Sequence, residues 1–134
     1  TIIEAKIFLE KNTLEDNFEA MILLEPVYIE NQLNGDILVL LGETNFQRST
    51  LLGGSTELLN QSLMQLTKVI KLDSISTEYL ANAHFLLSKI YQIIDDLAMA
   101  RSSILLANRL NKTDPKYKKQ YKQITRQYLK IFGG

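Results

Sequence analysis

Apolar positions recur at helical spacing through most of this chain, and polar breakers divide them into seven stretches. Thr1 to Lys11 places Ile2, Ala5 and Leu9 on one line and Ile3, Ile7 and Phe8 beside it, a helix apolar around much of its circumference. Thr13-Leu14-Glu15-Asp16 is a variant capping box opening a second helix, with Leu14, Phe18, Met21 and Leu24 as its apolar face. Pro26 predicts the end of that helix, because proline lacks an N–H and clashes with the preceding turn. Val27 to Gly35 then reads as a connection or a short extra turn. Asn34-Gly35 is a turn signal that also suits a β-hairpin, but helical spacing resumes directly after it.

Asp36 is the expected cap of a third helix carrying Ile37, Leu38, Leu40, Leu41 and Phe46. Gln47 to Gly54 is expected to be a long inter-helix loop broken at Gly53-Gly54, with Ser55 or Thr56 capping the next helix. That fourth helix carries Leu59, Leu63, Leu66, Val69, Ile70 and Leu72. Thr77-Glu78 opens a fifth, Asp95-Asp96 turns into a sixth, and Asp114-Pro115 starts a seventh with an N-cap followed by proline. In the last helix Tyr117, Tyr121, Ile124, Tyr128 and Ile131 form one apolar stripe.

The stretch His84 to Lys112 resembles a tetratricopeptide repeat, a helix–turn–helix unit of about 34 residues with the pattern W-x2-L-G-x2-Y…A-x3-F…P. His84 stands at the Trp, Leu87-Ser88 at Leu-Gly, Tyr91 at the Tyr, Ala100 and Ile104 at Ala-x3-Phe, and Lys112 at the Pro. Leu41-Gly42 repeats the Leu-Gly pair, with Asn45 in place of the Tyr. Leu24-Glu25-Pro26, Leu72-Asp73-Ser74 and Leu110-Asn111-Lys112 each resemble the Leu-Asp-Pro that closes a unit. The resemblance implies an all-α, right-handed α–α superhelix. It would comprise a divergent repeat over 1–28, a repeat over 36–74, the best repeat over 78–112 and a capping helix over 114–132, in one domain.

In such a solenoid the first helix of each pair lines a concave groove that receives a peptide or helix. The resemblance therefore assigns a groove to Val39, Leu40, Glu43, Phe46 and Gln47, and to Asn82, Phe85, Leu86, Lys89, Gln92 and Ile93. Lys119, Gln123 and Arg126 add a basic cap surface. The implied activity is a non-catalytic adaptor or scaffold segment. Its partner is a protein or peptide bearing an apolar anchor and carboxylates. Some members clamp a chaperone's C-terminal carboxylate, but Val39, Leu40, Phe85 and Leu86 occupy much of that face and Lys89 alone does not rebuild the clamp. A peptide sensor and a self-associating spacer are the alternatives.

Charge sharpens the picture. The chain is neutral overall, with fifteen acidic and fifteen basic side chains, so it has no general attraction to nucleic acid or acidic membranes. Residues 1–43 nevertheless carry nine acidic and two basic side chains, net −7, and residues 44–134 carry net +7. Sequence order becomes spatial order in a solenoid, which predicts one acidic end and one basic end and favours head-to-tail self-association. The cations and tyrosines of the last helix are a possible nucleic-acid face, but the tyrosines share the apolar stripe, so a solvated basic face or an acidic protein partner is the preferred reading.

Candidate chemistry is sparse. There is no cysteine, which excludes disulfides and thiolate metal sites and suits an intracellular, cytoplasmic or nuclear, location. His84 is the lone histidine and is read as a packing residue rather than a base or ligand. Asp95-Asp96 lacks the ligand spacing and glycine of a calcium loop. Gly53-Gly54-Ser55-Thr56 lacks the lysine of a phosphate loop. Neither a metal, nor a cofactor, nor an enzymatic activity is expected. No apolar run reaches the ~20 residues of a membrane span. An opening on Thr1 rather than Met points to a fragment of a longer protein.

Overall fold

A computed structural model describes residues 1–133. Among these there are seven α-helices and no strand, so the chain is all-α. The helices are α1 (Ile2–Lys11), α2 (Leu14–Glu30), α3 (Gly35–Leu51), α4 (Thr56–Val69), α5 (Thr77–Ile93), α6 (Leu97–Leu110) and α7 (Pro115–Phe132). Packing divides the chain, read above as one domain, into two compact units. The first spans Thr1–Ser76 and the second begins at Thr77.

Most boundaries follow the local rules. The Thr13 hydroxyl accepts from the Asp16 N–H at 3.1 Å and donates to the Asp16 carboxylate at 2.7 Å, closing the variant capping box. Ser55, Asp96 and Asp114 accept backbone N–H groups at the starts of α4, α6 and α7, each satisfying a donor that lacks an intrahelical partner.

Four boundaries differ from the sequence reading. Pro26 does not end α2, which runs on to Glu30. Pro26 is exposed, as is Ile22, whose carbonyl loses its helical donor; water can satisfy that carbonyl, so the helix tolerates the proline. Asn34, not Asp36, caps α3 through the Ile37 N–H. The Asp36 carboxylate instead accepts from the backbone and hydroxyl of Ser76 at 2.9 and 3.1 Å. Helix α3 continues through Gln47–Leu51, and the loop shrinks to 52–55. Gly53 and Gly54 end the helix with φ of 79° and 100°, a region that glycine enters without steric cost. At the other end of the first unit, α4 stops at Val69, before Leu72-Asp73-Ser74.

In the first unit α1 packs on α2, α2 on α3 and α3 on α4. Helix α3 is the most enclosed, with Ile37, Leu38, Val39, Leu40, Leu41 and Thr44 all buried. Gly42 lets α4 approach. A Cβ built there would lie 2.9 Å from Leu66, itself fully buried, and the Ser62 hydroxyl donates to the Gly42 carbonyl at 2.7 Å. The packing face of α2 keeps only part of the predicted stripe, Leu24 and the half-buried Met21. Asn17, Ala20 and Leu24 are buried, while Leu14 and Phe18 lie at the surface.

In the second unit α5 packs on α6 and α6 on α7. Ala81, Leu87 and Ile90 of α5 and Ala100, Ile104 and Ala107 of α6 form its core; the alanines admit close helix approach. Helix α7 contributes Tyr117, Gln120 and Ile124. Its stripe frays toward the C-terminus: Tyr121 and Tyr128 are half-buried and Ile131 is exposed.

Replacing Gly42 by alanine forces its Cβ against the fully buried Leu66 side chain, which must shift to make room. The variant is expected to lose about 1–3 kcal/mol of stability, read as a lower urea midpoint with an unchanged slope.

Candidate functional site

A concave feature of mixed chemistry lies within the first unit. Met21 and Glu25 are one turn apart on α2. Asn45 and Arg48 are one turn apart on α3. Gln61, Met64 and Gln65 share one face of α4. Together these side chains line a groove of about 350 Å³. Helix α3 packs against both neighbours and supplies the floor, where Asn45 and Arg48 are half-buried. Glu25, Gln61 and Met64 stand exposed on the walls. Met64 is 71% exposed, a large apolar side chain held in solvent.

The floor is fixed by a polar network. Asn17 is completely buried, and its amide nitrogen donates at 2.9 Å both to the Thr44 carbonyl and to Gln47 Oε1. Its oxygen accepts from Arg48 Nε at 2.8 Å. Gln47 Nε2 in turn donates to the Leu9 carbonyl at 2.7 Å, tying α3 to the last turn of α1. The Thr44 hydroxyl donates to the Leu40 carbonyl at 2.6 Å. Buried polar groups are stable only when satisfied in this way.

Arg48 carries the positive charge of the groove. Its Nη1 donates to Met21 Sδ at 3.2 Å, and its guanidinium lies 6.0 Å from the Phe18 ring centre, within cation–π range. Its Nη2 is enclosed and has no hydrogen-bond acceptor. These partners are all neutral, and the Glu25 carboxylate lines the same groove. Asn45 Nδ2 donates to Gln65 Oε1 at 2.8 Å, bracing floor to wall. One turn along, Lys68 Nζ meets the Tyr28 hydroxyl at 3.4 Å. The groove therefore offers thioethers, side-chain amides, one cation and, on its rim, the Glu25 carboxylate. It has no serine, cysteine or histidine to act as nucleophile or base. Among the described residues no group of three or more His, Cys, Asp or Glu side chains could hold a metal ion.

The residues singled out from sequence fall elsewhere. Val39, Leu40, Glu43 and Phe46 lie on α3 of the first unit, and Phe85, Leu86, Lys89, Gln92 and Ile93 on α5 of the second. Val39, Leu40, Phe85 and Leu86 are buried, which corrects their assignment as a binding surface: a partner meeting this conformation cannot touch them. Phe85 is a core residue of the second unit. Its ring lies 5.1 Å from that of Tyr117, with the ammonium groups of Lys89 and Lys116 at 4.8 and 5.2 Å. Asn82, Lys89, Gln92, Glu43, Phe46 and Gln47 are half-buried, and Ile93 is exposed. Gln92 is engaged: it accepts from Gln120 at 3.1 Å and donates to Gln127 at 2.8 Å, linking α5 to α7. Lys119, Gln123 and Arg126 are exposed on α7.

Sequence reading missed the groove because Asn45 stood only as a departure from the repeat pattern and Arg48 was assigned to a loop. A usable signal was present. Met64 interrupts the polar face of an otherwise strongly amphipathic helix, flanked by Gln61 and Gln65.

The remaining candidates lie outside the groove. Asp96 caps α6 through the Met99 N–H at 3.2 Å, and Asp95 sits in the left-handed region at φ 65°. His84 is half-buried on α5, and desolvation lowers its pKa below the ordinary 6.5, so it is neutral at pH 7.

No protein-family model, no curated protein sequence and no solved structure matches this chain.

Two outcomes follow from these side chains. Asn17→Ala removes the partner of Gln47 Oε1 and of Arg48 Nε together, and is expected to cost about 3 kcal/mol in a urea titration. For His84 the folded-state pKa lies below the unfolded value, so the unfolded chain takes up the proton first. Its contribution to stability is complete above pH 6.5 and is lost as the pH falls below that value toward the folded pKa. Melting temperature should therefore drop more steeply in the wild type than in His84→Gln between neutrality and about pH 5.

Proposed function

We propose that this chain is a non-catalytic protein-interaction module, an adaptor or scaffold segment of a larger intracellular assembly, and that its first unit holds a peptide segment of a partner in the groove between α2 and α4. The observation that carries the reading is the groove's lining. Met21 and Met64 are unbranched and polarizable, and adapt to varied apolar side chains. The amides of Asn45, Gln61 and Gln65 suit the alternating N–H and C=O groups of a peptide backbone. Arg48 favours a peptide that brings a carboxylate to the floor, where a hydrogen bond to a charged group is worth more than one between neutral groups. This keeps the expected partner, an apolar anchor beside acidic residues, and moves its seat away from Val39, Leu40, Phe85 and Leu86.

Helix pairs of a tetratricopeptide-like solenoid are the scaffold we favour. Its support is local: Gly42 meets Leu66 at the small-residue position of the second pair, and Ala100 and Ala107 are fully buried in the third.

The test is selection from a random peptide library, followed by affinity measurement. Selected peptides should carry an acidic residue near an apolar one. A Gln61→Glu/Met64→Glu variant changes only exposed side chains, so it keeps its helicity. It should weaken binding at least about tenfold, or about 1.4 kcal/mol. Peptides that bind both proteins equally would exclude the groove.

A further inference from the structure

The first two helices expose an apolar stripe. Leu14, Phe18 and Ile22 recur every fourth residue of α2 and all are exposed, Phe18 by 52%; on α1, Ile3 and Ile7 are also exposed, Ile3 by 74%. Carboxylates flank these positions. Glu4 follows Ile3, Glu15 follows Leu14 and Glu19 follows Phe18, and all three are exposed. Over α1 and α2 there are seven acidic and two basic side chains.

Helix α7 has the opposite character. It contains six cations and no acidic residue. Lys119, Lys122, Arg126 and Lys130 follow one another at helical spacing, and all are exposed. Beside them stand Leu129, Ile131 and Phe132, exposed by 55%, 61% and 63%. Each surface thus has apolar side chains bordered by one sign of charge, and the two signs are complementary. By unit, the first carries eleven acidic and five basic side chains, and the second four and ten. The chain as a whole is neutral, so two copies approach without net repulsion while the unlike surfaces attract.

We infer that the chain self-associates heterologously, the α1–α2 surface of one copy receiving the basic face of α7 from a second copy. The contact joins two different patches, so each copy keeps one of each to offer. It uses none of the residues that line the α2–α4 groove and meets it only through Phe18, whose ring lies 6.0 Å from the Arg48 guanidinium. The apolar side chains supply the contact area and the charges fix which surfaces meet. Association is accordingly weakened by salt, which screens exposed charges beyond roughly 8 Å at physiological ionic strength.

The experiment is sedimentation velocity across a range of protein concentration at low and high salt. The wild type is compared with Glu15→Lys/Glu19→Lys on α2 and Lys122→Glu/Arg126→Glu on α7, with helicity checked by circular dichroism. The wild type should show a mass that rises with concentration and falls with salt. Each reversed variant alone should associate at least about tenfold more weakly. An equimolar mixture of the two variants should associate again, because each carries the complement of the other. The milder pair Glu15→Gln/Glu19→Gln and Lys122→Gln/Arg126→Gln covers the case in which a reversal perturbs folding, and should weaken association without restoring it on mixing. A wild type that stays monomeric at high concentration and low salt overturns the inference. So does association that ignores both reversals, or a mixture that fails to recover. Peptide binding by the groove is measured on the same variants. Its survival when association is lost separates the two readings, and its loss with association intact counts against the groove alone.

Discussion

The first unit depends on one buried amide. Asn17 sits where α1, α2 and α3 meet, and a side chain of its polarity is stable there only because its donors and its acceptor are all used. Satisfying it recruits Thr44, Gln47 and Arg48 from adjacent turns of α3, and Gln47 passes the constraint on to the end of α1. The network fixes the register of three helices more narrowly than apolar contact could, since leucine against leucine tolerates sliding and a hydrogen bond does not. The same bonds hold Arg48 at the floor of the groove. Stability and the candidate site therefore share one set of atoms.

The second unit uses a looser version of the same device. Gln92, Gln120 and Gln127 are joined in series between α5 and α7, with Ser88 beneath them. Long glutamine side chains span a gap between helices that do not pack closely. Tyr117 fills the adjoining space against Phe85, and two lysine ammonium groups over the Phe85 ring close it from solvent. Phe85 and Lys89, assigned to the groove from sequence, are thus engaged with each other and with Tyr117 on the side of α5 that faces α7.

What remains for partners is what packing left over. In the first unit that remainder is a groove of thioethers and amides around a cation, together with an apolar stripe bordered by carboxylates. In the second it is a helix face of lysines and arginine. Charge segregation along the chain turns two of these surfaces into complements of each other.

The sequence by itself determined the helices. Periodicity, the caps at Thr13, Ser55, Asp96 and Asp114, and the glycine pair at 53–54 placed six of the seven starts, because these effects act within one or two turns. It also determined the charge polarity and the structural roles of Asp96 and the glycine loop. Only tertiary structure decided which side of each helix faces inward. Leu14 and Phe18 are the more apolar choice for the core of α2, yet Asn17, Ala20 and Leu24 are buried instead. The amide finds its partners 27 to 31 residues away, a match that no local pattern reveals. Pro26 passed through α2 for a similar reason, since its cost depends on whether the freed carbonyl meets water. The groove lay beyond the sequence because it is a space between three helices, whereas a repeat pattern records only the positions that fill space.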